Sequence, residues 1–176
     1  MAMRNRLLIL LVLALGAAGV LASVAAATAD HSDWPYVPIH DHSRYQRNDP
    51  PGVQGWVARG TPFSDELLGG HHNDTLYGGD GSDILWGDYL AVGNTAYQRD
   101  RIYGGAGNDF IYGSHGRSVV FAGAGDDMVR VWFGRGYVDC GPGRDILYVS
   151  RKRNRKIKRV NCETVSHLSD RQVHGG

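Results

Sequence analysis

The sequence predicts an all-β protein built by stacking one short unit many times over, and three observations carry that prediction. First, the 25 glycines recur in pairs at a nine-residue spacing, as at Gly69-Gly70, Gly78-Gly79 and Gly104-Gly105. Second, an aspartate follows each of these pairs at the same offset: Asp74, Asp83 and Asp109. Third, one aliphatic position keeps register through Leu67, Leu76, Leu85, Ile102, Ile111, Val120, Val129, Val138 and Leu147, with one 17-residue step from Leu85 to Ile102. Glycine in the turn permits positive φ. The three residues after the aspartate suit a short strand whose central side chain points inward. A unit this small closes no core alone, so stacking is obligatory.

The segments before the repeats read differently. Arg4 and Arg6 form a short basic region, Leu7 to Leu15 is apolar, and small residues lead to Ala27-Thr28-Ala29. That pattern predicts a secretory signal over residues 1–29, cut after Ala29, and hence a secreted protein. The alternative is an uncleaved anchor, because Leu7 to Ala29 carries no charge and is long enough to span a bilayer. The density of small residues favours cleavage. No later stretch is long enough to cross a membrane, so the mature chain is expected to be soluble. Residues 30–59, with their prolines and polar side chains, read as an irregular lead or cap.

The repeats occupy residues 60–148. Clear copies are Gly69–Tyr77, Gly78–Trp86, Gly104–Tyr112, Ala122–Arg130 and Cys140–Tyr148; Gly60–Leu68, Gly113–Phe121 and Val131–Asp139 are looser. Gly87–Tyr103 carries an insertion at about residues 89–98. Residues 149–176 form a basic cap and tail.

Charge is segregated along the chain. Loss of the leader leaves 17 Lys and Arg against 18 Asp and Glu, and seven of those 17 lie between Arg151 and Arg159. The near-neutral sum argues against a protein devoted to nucleic acid. An anionic surface is one reading of the basic segment; a solvated capping strand is the simpler one, since stacked folds need polar ends. The cysteines are Cys140 and Cys162, and an oxidising exterior favours a disulfide between them over two free thiols.

The copies match G-G-x-G-x-D-x-U-x and resemble the calcium-binding nonapeptide repeat of RTX (haemolysin-type) proteins. The resemblance covers about half the chain. Its ending, Cys140-Gly141-Pro142-Gly143-Arg144-Asp145 followed by a basic stretch and Cys162, is similar to small exported calcium-binding repeat proteins of bacteria. The resemblance implies a parallel β-roll, a right-handed β-helix or solenoid of about nine repeats, with the disulfide linking its C-terminal cap. It also implies that two nonapeptides make one coil, with each ion between two turns on the same edge. One edge then carries Asp65, Asp83, Asp109, Asp127 and Asp145, and the other carries Asp74 and Asp100, then Ser118 and Gly136. Calcium takes six to eight oxygens. The expected ligands are those seven aspartates together with the turn glycines Gly79, Gly81, Gly105, Gly107, Gly123 and Gly125, for roughly four or five ions in all. Phe63 and His72 replace the fourth glycine and weaken the first two turns, and Val131–Asp139 reads as a strand without a site.

Repulsion between stacked carboxylates and the entropy of ordering glycine predict a roll that is largely disordered without calcium and folds on binding it after export. The leading expectation is therefore an extracellular calcium-binding protein whose ions are structural. The alternative is calcium-dependent adhesion, self-association or binding of a cell-surface polymer or glycan. It would use the basic tail or an outward apolar row of Ile84, Trp86, Phe110, Tyr112, Met128, Ile146 and Tyr148. Such a row is either covered internally or is a binding surface. His40, His42, His71 and His72 lack zinc-ligand spacing. H-E-x-x-H and G-x-S-x-G are absent, so no enzyme is expected; catalysis from the Asp88–Asp100 loop is the weakest reading.

Overall fold

The computed structural model describes residues 40–44, 55–89, 97–131, 134–152 and 154–167, all within one compact unit, Asp33–Gly176. The expected signal, the Trp34–Ile39 stretch, most of the insertion and residues 168–176 lie outside the described residues. In chain order the strands are β1 (Asp41–Arg44), β2 (Val57–Arg59), β3 (Asp65–Leu68), β4 (Thr75–Asp80), β5 (Ile84–Trp86), β6 (Arg99–Ala106) and β7 (Phe110–Tyr112). They continue with β8 (Arg117–Ala124), β9 (Met128–Val131), β10 (Arg135–Asp139), β11 (Ile146–Val149), β12 (Ile157–Val160) and β13 (Thr164–Ser166).

Each nonapeptide carries the chain through half a coil, so strands fall alternately into two sheets. Odd-numbered strands form a seven-stranded sheet and even-numbered strands a six-stranded one, each in sequence order. Every pairing is parallel, as in Leu67↔Leu85 and Ile111↔Val129. Across the insertion Leu76 pairs with Ile102, so the eight extra residues leave the chain without shifting phase. This is the β-solenoid expected from the repeat. Among the described residues no helix is long and apolar enough to cross a membrane.

The core lies between the sheets and is the aliphatic column itself. Leu67, Leu76, Leu85, Ile102, Ile111, Val120, Val129, Val138 and Leu147 are all 0% exposed. Fully burying a side chain of this size contributes about 1.5–3 kcal/mol, and each stacks on its equivalent one coil away, so no unit is stable by itself.

The solenoid is longer than the repeats suggest. β1 pairs with β3 and β2 with β4, so part of the stretch expected to be irregular is strand. At the other end β12 pairs with β10 and β13 with β11, and the basic segment folds into the last coil. The register explains this: Val165 stands opposite Leu147, and Ile157 is buried. Cys140 and Cys162 form the disulfide, with Cα atoms 5.1 Å apart, and tie that coil to the one before.

The outward apolar row on the odd sheet is not an open patch. Ile84 and Phe110 are buried; Trp86, Tyr112, Met128, Ile146 and Tyr148 are half-buried. Trp86 stacks on Tyr112 at 4.1 Å and meets the edge of Tyr89, where the insertion begins, at 5.6 Å. The buried Arg130 lies over the Phe110, Tyr112 and Tyr148 rings and donates from its guanidinium to the Tyr112 hydroxyl. Among the described residues the exposed large hydrophobic side chains lie elsewhere: Val57 and Phe121 on the even sheet, Phe63 in a turn and Tyr97 at the end of the insertion.

Replacing both cysteines by serine should cost roughly 3 kcal/mol, the loop-closure entropy a 22-residue bridge removes from the unfolded chain. Hydrogen exchange should show the loss of protection confined to β12 and β13, with β6 to β9 unchanged.

Candidate metal centre

The aspartates of the odd turns form a hydrogen-bonded ladder along one edge. The Asp65 N–H donates to Asp83 Oδ1 at 2.8 Å, Asp83 to Asp109 at 2.9 Å, Asp109 to Asp127 at 2.8 Å and Asp127 to Asp145 at 2.8 Å. The Asp145 N–H continues to Glu163 Oε2 at 2.9 Å. Glu163 was missed in the sequence because glutamate departs from the motif, although it lies two nonapeptides after Asp145. Asp41, paired with Asp65, was missed because its separation is not a multiple of nine.

The second oxygen divides these turns into two kinds. Oδ2 of Asp83, Asp109, Asp127 and Asp145 is buried with no hydrogen-bond partner. In the same repeats the second residue is Gly79, Gly105, Gly123 or Gly141, with φ of 118°, 121°, 121° and 94°. At three turns whose second residue is not left-handed, its N–H bonds the side chain of the sixth residue instead. Thr61 N–H donates to Asp65 Oδ2 at 2.6 Å, Gly70 N–H to Asp74 Oδ2 at 2.8 Å, and Ser114 N–H to Ser118 Oγ at 2.8 Å. Asp74 Oδ1 also accepts the Trp56 N–H at 2.8 Å. Asp65 and Asp74 thus bond through Oδ2 to their own turn, unlike Asp83, Asp109, Asp127 and Asp145. His72 keeps a positive φ of 83° in place of the missing glycine, without freeing Asp74.

The glycines make the turns a close-packed cradle. A Cβ on Gly105 would lie 1.9 Å from the Gly79 carbonyl oxygen, one on Gly107 1.9 Å from that of Gly81, and one on Gly125 2.1 Å from that of Gly107. Backbone of adjacent coils is thus in contact at the positions where a small ion needs carbonyl oxygens. Asp100, in the other column, also keeps an unpartnered Oδ2, while its Oδ1 accepts the Asp74 N–H at 2.8 Å. Ser118 and Gly136 complete that edge without a carboxylate. Among the described residues no three His, Cys, Asp or Glu side chains cluster. The donor set on offer is one carboxylate per turn with backbone carbonyls, a hard-oxygen set that fits calcium.

A family model described as the RTX calcium-binding nonapeptide repeat matches residues 58–88 and 97–135 in four copies. The chain carries RTX calcium-binding repeats. No curated protein and no solved structure matches it. The RTX match breaks at the insertion and stops at the first residue of β10, yet the Gly141–Asp145 turn beyond it has the same left-handed glycines and the same unpartnered oxygen.

Burial of these carboxylates raises their pKa. Desolvation is the largest cause, opposed by the N–H each accepts and reinforced by neighbouring aspartates; Asp83 is pushed up to about 6, Asp127 to about 7 and Asp109 to about 8. Asp100 rises to about 8 by desolvation and then by the nearby Asp88, and Asp145 is raised by desolvation as well. A folded-state pKa above the unfolded value means that the proton stabilises the calcium-free coil. That stability is present below the ordinary 3.8 and is lost as pH rises through about 6 to 8. A cation bound there would take the proton's place.

The calcium-free protein should therefore melt at a higher temperature at pH 4.5 than at pH 8.5, and saturating calcium should reverse that order; circular dichroism melts at both pH values check it. Gly107→Ala should lower the melting temperature of the calcium-loaded protein by the equivalent of about 2 kcal/mol or more, from backbone strain and the contact with Gly81.

Proposed function

We propose that the protein is an exported, non-enzymatic calcium-binding β-roll whose ions are structural and complete its folding outside the cell. The observation that supports this most directly is the row of buried, unpartnered Oδ2 atoms on Asp83, Asp109, Asp127 and Asp145. A carboxylate with a bare oxygen in the interior is costly unless a proton or cation joins it. Four successive turns repeat the same deficit. They enclose three gaps, and we assign one ion to each gap, with Asp100 offering a further position on the opposite edge. The total is three or four, below the four or five expected from the motif, because Asp65 and Asp74 satisfy their own oxygens.

Export follows from the leader-like residues 1–29 and agrees with the disulfide, which suits an oxidising compartment. Free calcium is low inside cells and high outside, so an ion-dependent fold would form after passage. The closed odd face and the folding of the basic tail into the last coil weaken the sequence-based case for adhesion through those two surfaces.

Calcium titration of the mature chain, followed by far-UV circular dichroism and isothermal calorimetry, tests this reading. Strand signal should rise cooperatively with calcium to a stoichiometry of three or four. Asp109→Ala should weaken binding at least tenfold, about 1.4 kcal/mol, because Asp109 borders two gaps. Asp74→Ala should leave the stoichiometry unchanged while lowering the melting temperature, since it strands the Trp56 and Gly70 N–H groups. Full strand content in excess chelator at pH 8 would sink the folding role.

A further inference from the structure

The outer face of the even sheet carries a feature that reading along the chain hides. Strand register places Arg99 beside Arg117 and Arg117 beside Arg135, three arginines in file. All are exposed, and among the described residues none has an ion pair. Neighbours in such a file are one strand spacing apart, about 4.8 Å, where like charges repel. Two further outward columns run parallel to this one. One includes Arg101, Val119, Tyr137 and Lys158; the other includes Arg59, Tyr77, Tyr103, Phe121 and Asp139. Across these columns Asp139 is the sole acid, and it is already engaged by the Tyr137 hydroxyl at 3.1 Å and by Asn161 at 2.9 Å.

The rings of the outer column, four residues along each strand from the arginine file, form a continuous stack. Tyr77 and Tyr103 lie 4.8 Å apart and Tyr103 and Phe121 5.3 Å, each pair with planes within 6°. Phe121 then meets Tyr137 at 5.6 Å. Arg59 covers the Tyr77 end at 4.2 Å, and the Lys158 ammonium lies over Tyr137 at 5.9 Å. Ring faces are thus spent on one another. Among the described residues the Tyr77 and Tyr103 hydroxyls have no partner and remain to bond a ligand.

We propose that this face binds an acidic polysaccharide lying along the solenoid axis, its carboxylate or sulfate groups on the Arg99–Arg117–Arg135 file and its sugar hydroxyls on the tyrosine edges. Charge complementarity carries the argument: a straight file of unpaired cations, regularly spaced, fits a polymer with regularly spaced anions. Arginine suits carboxylate and sulfate through its planar fork of donors. Single-stranded nucleic acid fits less well, because it needs free aromatic faces on which bases stack. The face is set by strand register and does not rest on the calcium assignment.

The test uses the mature chain at a calcium level where circular dichroism shows the strand signal, with immobilised chondroitin sulfate as probe. The protein should bind at low salt, elute with sodium chloride, and pass through uncharged dextran. Replacing Arg99, Arg117 and Arg135 together by Gln should weaken binding at least tenfold and flatten the salt dependence by two to three ion equivalents, about one per arginine, with calcium stoichiometry unchanged. The triple Arg→Lys variant should keep most of the affinity, which separates charge from folding. Lys152→Gln with Arg155→Gln, on the terminal turn, should have little effect. Equal retention of the Gln variant and the parent, no retention beyond dextran, or stronger binding to duplex DNA or phosphatidylserine vesicles would each overturn the proposal.

Discussion

The structure depends on one hydrogen bond repeated along an edge, in which the carboxylate of each coil's aspartate receives the backbone N–H of the aspartate one coil earlier. This bond fixes the register of successive turns and draws every carboxylate out of water. One oxygen is satisfied by the neighbouring backbone; the other is left for something not supplied by the chain. Asparagine could accept the same N–H through its carbonyl without bringing charge inside. Yet aspartate stands at each of the four left-handed turns, from Asp83 to Asp145, so the negative charge itself is part of the design. The glycines follow from the same constraint, since the coils must approach until carbonyl oxygens sit where Cβ atoms would be.

The two kinds of turn show how finely that constraint is set. At the first two turns the second residue, Thr61 or Gly70, has an ordinary φ and turns its N–H onto the carboxylate, closing the site. A second residue at φ near +120° leaves the oxygen bare. Closure suits the first turns, where the stack begins and a hydrogen bond stabilises without any ion. Openness suits the middle, where each bare oxygen has at least one turn of the same kind beside it. At the far end Glu163 takes the place of the next aspartate, and the Cys140–Cys162 bond adds a covalent restraint where stacking partners run out.

What could be read in the sequence was what repeats at fixed intervals. The aliphatic column was legible because one inward position recurs in every copy, and all nine residues prove fully buried. The insertion's neutrality of phase was legible for the same reason. The difference between Asp74 and Asp83 was not, because both follow a glycine pair and the motif does not reveal which glycine is left-handed. Asp41 and β1 escaped because their offset is not a multiple of nine, and β12 because Arg159 breaks the aliphatic column opposite Val138. Periodicity showed which side chains point outward on each sheet. It did not show which row is closed, because the closing side chains, Tyr89 and Arg130, lie outside the repeat's pattern.

The arginine file was hidden by the same logic in reverse. Arg99, Arg117 and Arg135 are separated by whole coils and look like scattered surface charges; summed with the aspartates they vanish into a formal net charge of +1. Folding sorts the two signs apart, placing acid in the buried edge and base on the open sheet. With calcium in the edge, each ion adds two positive charges to a chain whose own charges nearly cancel, so the long-range field becomes that of the arginine face. On the proposed assignments, calcium at the buried edge and a polyanion on the sheet would be coupled through that field, without direct contact.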